Sequence, residues 1–240
     1  MEVKSITIAH LYPREMNIYG DMGNIRTFLK RLEWRGLHGE VMNVEPGSDA
    51  DLAQADLVFG GGGQDSGQLL VADDLLKRGP QLRALADDGV PMLMICGLYQ
   101  LFGKGFITAD GTSIPGIGVF HATTTGGSIR MIGNIAVDSP FGLLAGFENH
   151  SGQTVLGATQ RALGKVIKGY GNNPTSGYEG AMVRNAIGTY MHGPLLPKNP
   201  GLADHLLGLA WRRSYNEELP DLADNELEKL AWSASLDRPQ

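Results

Sequence analysis

One cysteine is present in the chain, Cys96, at the end of the apolar run "VPMLMIC" and directly before "GLYQLFG". Four glycines, Gly60 to Gly63, close a second apolar run in "ADLVFGGGGQD", and His192 closes a third in "NAIGTYMHGPLL". A thiol, an imidazole and a glycine-rich loop are the parts that acyl transfer through cysteine requires. The thiolate attacks a carbonyl carbon, the imidazole moves the proton, and backbone N–H groups hold the oxygen that becomes negative. Each part also has a plainer reading. A free cysteine packs well as a small hydrophobe, and a glycine run can be a surface turn. A P-loop is excluded, because it ends in Gly-Lys-Ser/Thr and here Gln64 and Asp65 follow the glycines.

These groups act together only if one framework brings them to the same rim. "SITIAHLY" (5–12) reads as a strand, and "GNIRTFLKRLEWRG" (23–36) as a helix with Ile25, Phe28, Leu29 and Leu32 on one face and Gly36 at its end. Leu57 to Phe59 form a strand running into the glycines, "LLKRGPQLRALADDG" a helix, and 90–96 a second buried strand. Strand, helix and strand in this order predict a parallel sheet with helices on both faces, whose ligands bind beyond the carboxyl ends of the strands. Cys96 and Gly97 then sit on a sharp strand-to-helix turn, with the helix N-terminus favouring thiolate.

From "GFITADGTSIPG" to "KVIKGYGN" the periodicity is near two, which predicts antiparallel hairpins. The run 185–196 supplies a further strand ending at His192, and "NPGLADHLLGLAWRRSY" a helix with Leu202, Leu206, Leu209 and Ala210 on one face and Asn199 as cap. The tail "SASLDRPQ" is expected to fray. The fold class expected is α/β: a mostly parallel central sheet flanked by helices, with antiparallel hairpins in the middle, as one domain over 1–240. Among the other histidines, His205 falls in a helical pattern and His38 in a surface turn, while His10 and His121 lie near strand ends and stay open as candidates.

The 240 residues are 42% hydrophobic and 19% charged, the balance of a globular protein. The formal net charge is -6 and the 20 Lys and Arg are scattered, which argues against a nucleic-acid partner. No apolar stretch approaches the roughly 18 residues needed to cross a bilayer. The first residues lack the pattern of a signal peptide, so a cytoplasmic location is expected. A single cysteine cannot form an internal disulfide, which suits a reducing compartment.

The segments "GGGGQD", "ICGLYQLFG" and "YMHGPLL" resemble, in that order, the oxyanion loop, nucleophile segment and histidine segment of class I (triad-type) glutamine amidotransferases. "CGLYQ" is similar to the Cys-Gly-x-Tyr-Gln of the cobyric-acid-synthase-like branch. Within that branch, "NIYGDMGNIRTFLKRLEWRG", "GSIRMIGN", "GYGNNPTSGYEG" and "GTYMHGPLLPKNP" resemble the glutaminase subunits that serve a Mur-ligase-like synthetase. The resemblance implies Cys96 as nucleophile, His192 as general base, and backbone N–H groups at Gly62, Gly63 and Gly97 as oxyanion donors. Arg130, which could otherwise be a solvated strand arginine, matches the position that grips the α-carboxylate of glutamine, a task suited to a planar guanidinium.

The activity implied is hydrolysis of L-glutamine, with ammonia passed to a MurT-like partner that amidates the D-glutamate of the lipid II stem peptide. ATP and Mg are expected on that partner, and no cofactor in this chain, which has no Walker motif. The lipid-linked substrate would bring the pair to the inner membrane face. Two departures stand out. Met94 occupies a position, two before the cysteine, where the family commonly has glycine. Gly193 and Pro194 follow His192, where a glutamate two residues on usually orients the imidazole. No third triad member is visible; the resemblance implies an aspartate lent by the partner, so the free subunit should be slow. Asp21 and Asn24 in "YGDMGN" serve equally well as a helix cap and receive no role, and Glu179 is left between a partner and a substrate contact. The competing readings are the glutaminase half of a cobyric-acid-type amidotransferase, a cysteine hydrolase of another α/β family, and a binding module with an inert Cys96.

Overall fold

The computed structural model describes residues 4–222 and 226–236. In chain order the elements are β1 (Ser5–Leu11), α1 (Met22–Glu33), β2 (His38–Val44), β3 (Leu57–Gly60), α2 (Asp65–Asp87), β4 (Met92–Ile95), α3 (Gly97–Phe102), β5 (Gly105–Ile107) and β6 (Ser113–Pro115). There follow β7 (Ala122–Ser139), β8 (Gly142–Leu156), β9 (Gly164–Lys168), β10 (Tyr178–Glu179), β11 (Ala181–Val183), β12 (Ala186–Thr189), α4 (Pro200–Tyr215) and α5 (Glu226–Leu236).

One six-stranded sheet has the order β11-β12-β4-β3-β1-β2. Its pairings are parallel except for β11 against β12. Every residue of β3, β4 and β12 is buried. Helices or loops cover both faces there, which is why these strands read as continuous apolar runs without alternation. The parallel direction sends the ends of β3, β4 and β12 to one rim, so the glycine loop, Cys96 and His192 leave the sheet side by side.

A second sheet of order β10-β9-β7-β5-β6, with β8 paired to β7, is largely antiparallel. Its long hairpin of β7 and β8 shifts register between Gly126 and Met131. The sheets meet where Phe147 of β8 bridges His192, His192 N–H donating to the Phe147 carbonyl at 2.7 Å.

Several elements differ from the sequence expectation. His38 opens β2, paired with Ser5, and is not in a turn. Helix α2 starts at Asp65, directly after the glycine loop, and carries Pro80 within it. The run 185–196 is strand only over Ala186–Thr189, because its parallel partner β4 ends at Ile95, opposite Thr189. Asn199 stands at the start of α4 without capping it; its side chain instead exchanges hydrogen bonds with Ala145 of β8 at 2.9 and 2.7 Å. Helix α5 includes the beginning of the supposed tail, held by Trp232 Nε1 donating to the Leu143 carbonyl at 3.1 Å and by Glu228 on Arg31 at 2.5 Å. The rest of that tail, 237–240, lies outside the described residues.

Candidate active site

Cys96 lies between β4 and α3 with φ +47° and ψ −99°, a backbone conformation that L residues avoid and that persists only where the surroundings enforce it. Its N–H donates to the Thr189 carbonyl at 2.8 Å, and its carbonyl accepts from Gln100 N–H at 3.0 Å, so β12 and α3 hold the turn from both sides. Gln68 of α2 braces it further, donating to the Gly97 carbonyl at 3.0 Å and to Gln100 Oε1 at 2.8 Å. Met94 finds its room because Gly60 is its partner on β3. A methyl group at Gly60 would lie 2.3 Å from Leu98 and 3.0 Å from the Met94 sulfur. The absent side chain of Gly60 thus leaves the space that Met94 and Leu98 fill under the elbow.

The cysteine is 7% exposed. It opens on a cleft of about 440 Å³ lined by Gln64, Gln100, Arg130, Asn149, His150 and Gly152 among others. Arg130 projects from β7, its Nε donating to Asn149 Oδ1 at 2.8 Å and its terminal nitrogen facing the Tyr19 hydroxyl at 3.4 Å.

His192 is buried, with the Tyr19 ring edge-on to it at 4.5 Å between centroids. The missing side chain of Gly62 marks where the groups converge. A β-carbon built there would be 2.9 Å from His192 Cε1, 3.3 Å from the Cys96 β-carbon and 3.3 Å from Asp21 Oδ2. Asp21 is fully buried, its Oδ2 accepting the Gly62 N–H at 2.7 Å and its Oδ1 standing 3.9 Å from His192 Nδ1. The second distance is that of an ion pair and is longer than a hydrogen bond.

A buried carboxylate that the sequence around His192 does not announce thus faces the imidazole. Asp21 sits at the N-cap of α1, yet makes no side-chain cap there; Asn17 Oδ1 instead accepts the Met22 N–H at 2.8 Å. The residue type that normally caps has turned inward toward the imidazole. Its neighbour Asn24 ties α1 to the chain beyond His192 by accepting the Leu196 N–H at 2.9 Å.

Charge organises the centre. Burial would lower the pKa of His192, but negative charge at Cys96 and the Asp21 carboxylate outweigh it and raise it to about 10. His10, buried in β1 and within the field of Asp21, is depressed by burial to about 4 and so stays neutral.

Of the three amides expected to hold an oxyanion, the Gly62 N–H is occupied by Asp21. Gly63 and Gly97 are the remaining pair. A β-carbon on Gly97 would touch the Gly63 nitrogen at 2.9 Å. The Gly97 N–H, first in α3, has no acceptor within its own helix. Glu179 is fully buried, with no face toward the surface or the cleft, so neither of its suggested contacts applies. Its Oε1 accepts from the Thr189 hydroxyl at 2.6 Å and the Tyr190 N–H at 2.7 Å, fixing the strand end that leads to His192. Burial raises this carboxyl to about 7.

A cysteine on a strained elbow, a buried histidine beside it and a glycine loop above them form a centre suited to acyl transfer through cysteine. Residues 7–200 match the CobB/CobQ-like glutamine amidotransferase domain, and the chain belongs to that family. It is 38% identical over 234 residues to the lipid II isoglutaminyl synthase (glutamine-hydrolyzing) subunit GatD of Staphylococcus aureus (strain N315), covering 97% of this chain and 96% of that protein. The subunit of the same name from Streptococcus pneumoniae (strain ATCC BAA-255 / R6) is 39% identical over 221 residues, covering 89% and 84%. A probable cobyric acid synthase of Methanosphaera stadtmanae is 34% identical over 119 residues, 43% of this chain and 24% of that one. A crystal structure of a glutamine amidotransferase superposes with a TM-score of 0.58 at 15% identity, covering 84% of this chain and 98% of that chain, a likeness of fold.

Proposed function

We propose that this chain is the glutaminase subunit of a lipid II isoglutaminyl synthase. It hydrolyses L-glutamine to L-glutamate and supplies ammonia to a MurT-like Mur-ligase-family synthetase. That partner, carrying ATP and Mg, amidates the D-glutamate of the lipid II stem peptide. The observation that carries the reading is the convergence of Cys96, His192 and the glycine loop in a chain that parallels the GatD relatives over nearly their whole length.

In this reading Arg130 holds the α-carboxylate of glutamine and the carboxamide reaches down the cleft to Cys96. The thiolate adds to the amide carbon, and the N–H groups of Gly63 and Gly97 take up the charge on its oxygen. The tetrahedral adduct collapses with transfer of the His192 proton to nitrogen, so ammonia leaves and a thioester remains. Water, losing a proton to His192, then adds to the thioester, and the carbon–sulfur bond breaks to release glutamate and regenerate the thiolate. This chain needs no cofactor for these steps.

No described helix is long and apolar enough to span a membrane, and a cytoplasmic place beside the lipid-linked substrate fits the reading. An aspartate lent by the partner would act on a histidine that Asp21 already faces. The test is Cys96→Ala in the assembled complex. Amidation driven by glutamine is lost and amidation driven by added ammonia continues; glutamine-driven product from that variant overturns the proposal.

A further inference from the structure

We propose that Tyr19 is a substrate-binding residue: its hydroxyl donates a hydrogen bond to the α-carboxylate of glutamine, beside the guanidinium of Arg130. The inference deepens the glutaminase reading and rests on it and on the place given there to Arg130. It starts from what surrounds the arginine. Arg130 is exposed on β7, and no carboxylate is among its described partners. Nε donates to Asn149 Oδ1 at 2.8 Å, and Nη2 approaches the Tyr19 hydroxyl oxygen at 3.4 Å. A guanidinium held between an amide and a phenol keeps its charge for an anionic ligand.

Tyr19 reaches this place from the other side of the cleft. It stands in the loop between β1 and α1 and lines the same cleft as Cys96, Arg130 and Asn149. Its ring is edge-on to His192, so one side chain runs from the imidazole to the arginine. The loop beneath it is fixed on both sides. Ile18 N–H donates to the Gly62 carbonyl at 3.1 Å, Asn17 Oδ1 accepts the Met22 N–H at 2.8 Å, and Gly20, with φ +74°, makes the turn toward α1. A tyrosine anchored in this way is ordered before any ligand arrives, and little further freedom is lost on binding.

The direction of the hydrogen bond decides the role. Arginine has only donors, so the Tyr19 oxygen accepts from Arg130 and its own proton points elsewhere. No acceptor for that proton is present among the described residues. A carboxylate lying on the free N–H groups of Arg130 supplies one. Its two oxygens offer about four lone-pair sites, enough for the guanidinium and the phenol together. A bond from O–H to a carboxylate is charge-assisted and stronger than one between neutral groups. The site thereby favours amides that carry an α-carboxylate over those that lack it.

The test is Tyr19→Phe in the full-length chain, alone and with its synthetase. Phenylalanine keeps the ring over His192 and removes only the hydroxyl. Cys96 is labelled with diazo-oxo-norleucine, which carries the α-carboxylate of glutamine, and with iodoacetamide, which has none; steady-state glutaminase kinetics run alongside. The half-saturating concentration of diazo-oxo-norleucine and KM for glutamine should each rise about 10-fold, as for one lost hydrogen bond to a charged group. The maximal labelling rate, kcat and the iodoacetamide rate should stay within about twofold, because the contact is made equally before and during reaction. An unchanged half-saturation and KM, whatever happens to kcat, overturn the assignment. So does an equal fall in the iodoacetamide rate, which makes the hydroxyl a support of the thiol and not a contact of the substrate. If the wild-type chain and its complex neither hydrolyse glutamine nor take diazo-oxo-norleucine with saturation, the glutaminase reading fails and this assignment with it.

Discussion

Gly62→Ala probes the geometry of the centre without removing any of its reacting groups. The position has no left-handed backbone angle, so alanine is conformationally allowed there. The obstacle is space, since the new methyl would lie 2.9 Å from His192 Cε1 and 3.3 Å from the Cys96 β-carbon. Ordinary carbon contacts are about 3.5–4.0 Å, so the ring must retreat by roughly 0.5–1 Å. Phe147 pins the backbone of His192 on one side and the Tyr19 ring closes the other, leaving the shift to be taken along the Cys96–His192 direction.

A displacement of about 1 Å between reacting groups costs on the order of 10²-fold in rate, or about 2.7 kcal/mol of barrier. The overpacking itself costs about 1–3 kcal/mol of folding stability, which a chain of this size tolerates. The expected result is a folded variant with kcat for glutamine hydrolysis lowered about 10²-fold. KM should be little changed, because Arg130 is on another strand. Ammonia-driven amidation by the complex serves as the control and should persist. A folded Gly62→Ala protein with kcat within a few-fold of wild type would refute the placement of the histidine against the cysteine.

Glu179→Gln addresses pH-dependent stability. The carboxyl is raised to about 7 in the folded chain, so its contribution is complete below the unfolded value near 4.5 and drains away as pH rises through 7. At about 1.4 kcal/mol per unit the loss by pH 8 is of the order of 3 kcal/mol. The glutamine variant keeps an acceptor for Thr189 and Tyr190, so its melting temperature should fall less than wild type between pH 5 and 8; parallel curves would contradict this. Arg130→Lys keeps the charge and loses the planar fork, so KM for glutamine should rise about 10-fold or more, while labelling of Cys96 by a small uncharged electrophile stays unchanged. Cys96→Gly and Cys96→Ala are both inactive toward glutamine, but the strain at φ +47° makes the glycine variant more stable, by about 1 kcal/mol in denaturant titrations.

Much of the site is readable in the chain as written. Short apolar runs that stop at glycine, cysteine or histidine identify buried parallel strands, and parallel strands bring their carboxyl ends to a common rim. The types of the reacting groups, their order and the rim they share were therefore determined by local pattern together with one rule of sheet topology. Strand β2 and helix α5 escape such reading for the opposite reason. Their faces are largely exposed or of mixed polarity, so no period stands out, and both are held by partners far away in the chain, Ser5 on β1 and Leu143 on β8.

Asp21 was decided only by the folded structure. At its place in "YGDMGN" a cap and an inward carboxylate have the same local signature, and no feature near His192 points back to it. Packing of α1 beside the glycine loop turned the side chain inward, and the Asn17 cap removed its local alternative. The Gly62 amide went the same way: a glycine loop offers several N–H groups, and which of them is spent depends on the acceptor that tertiary packing delivers. Strand and helix patterns arise from neighbours within a few residues, whereas a buried pair of charges depends on two distant segments arriving at one point.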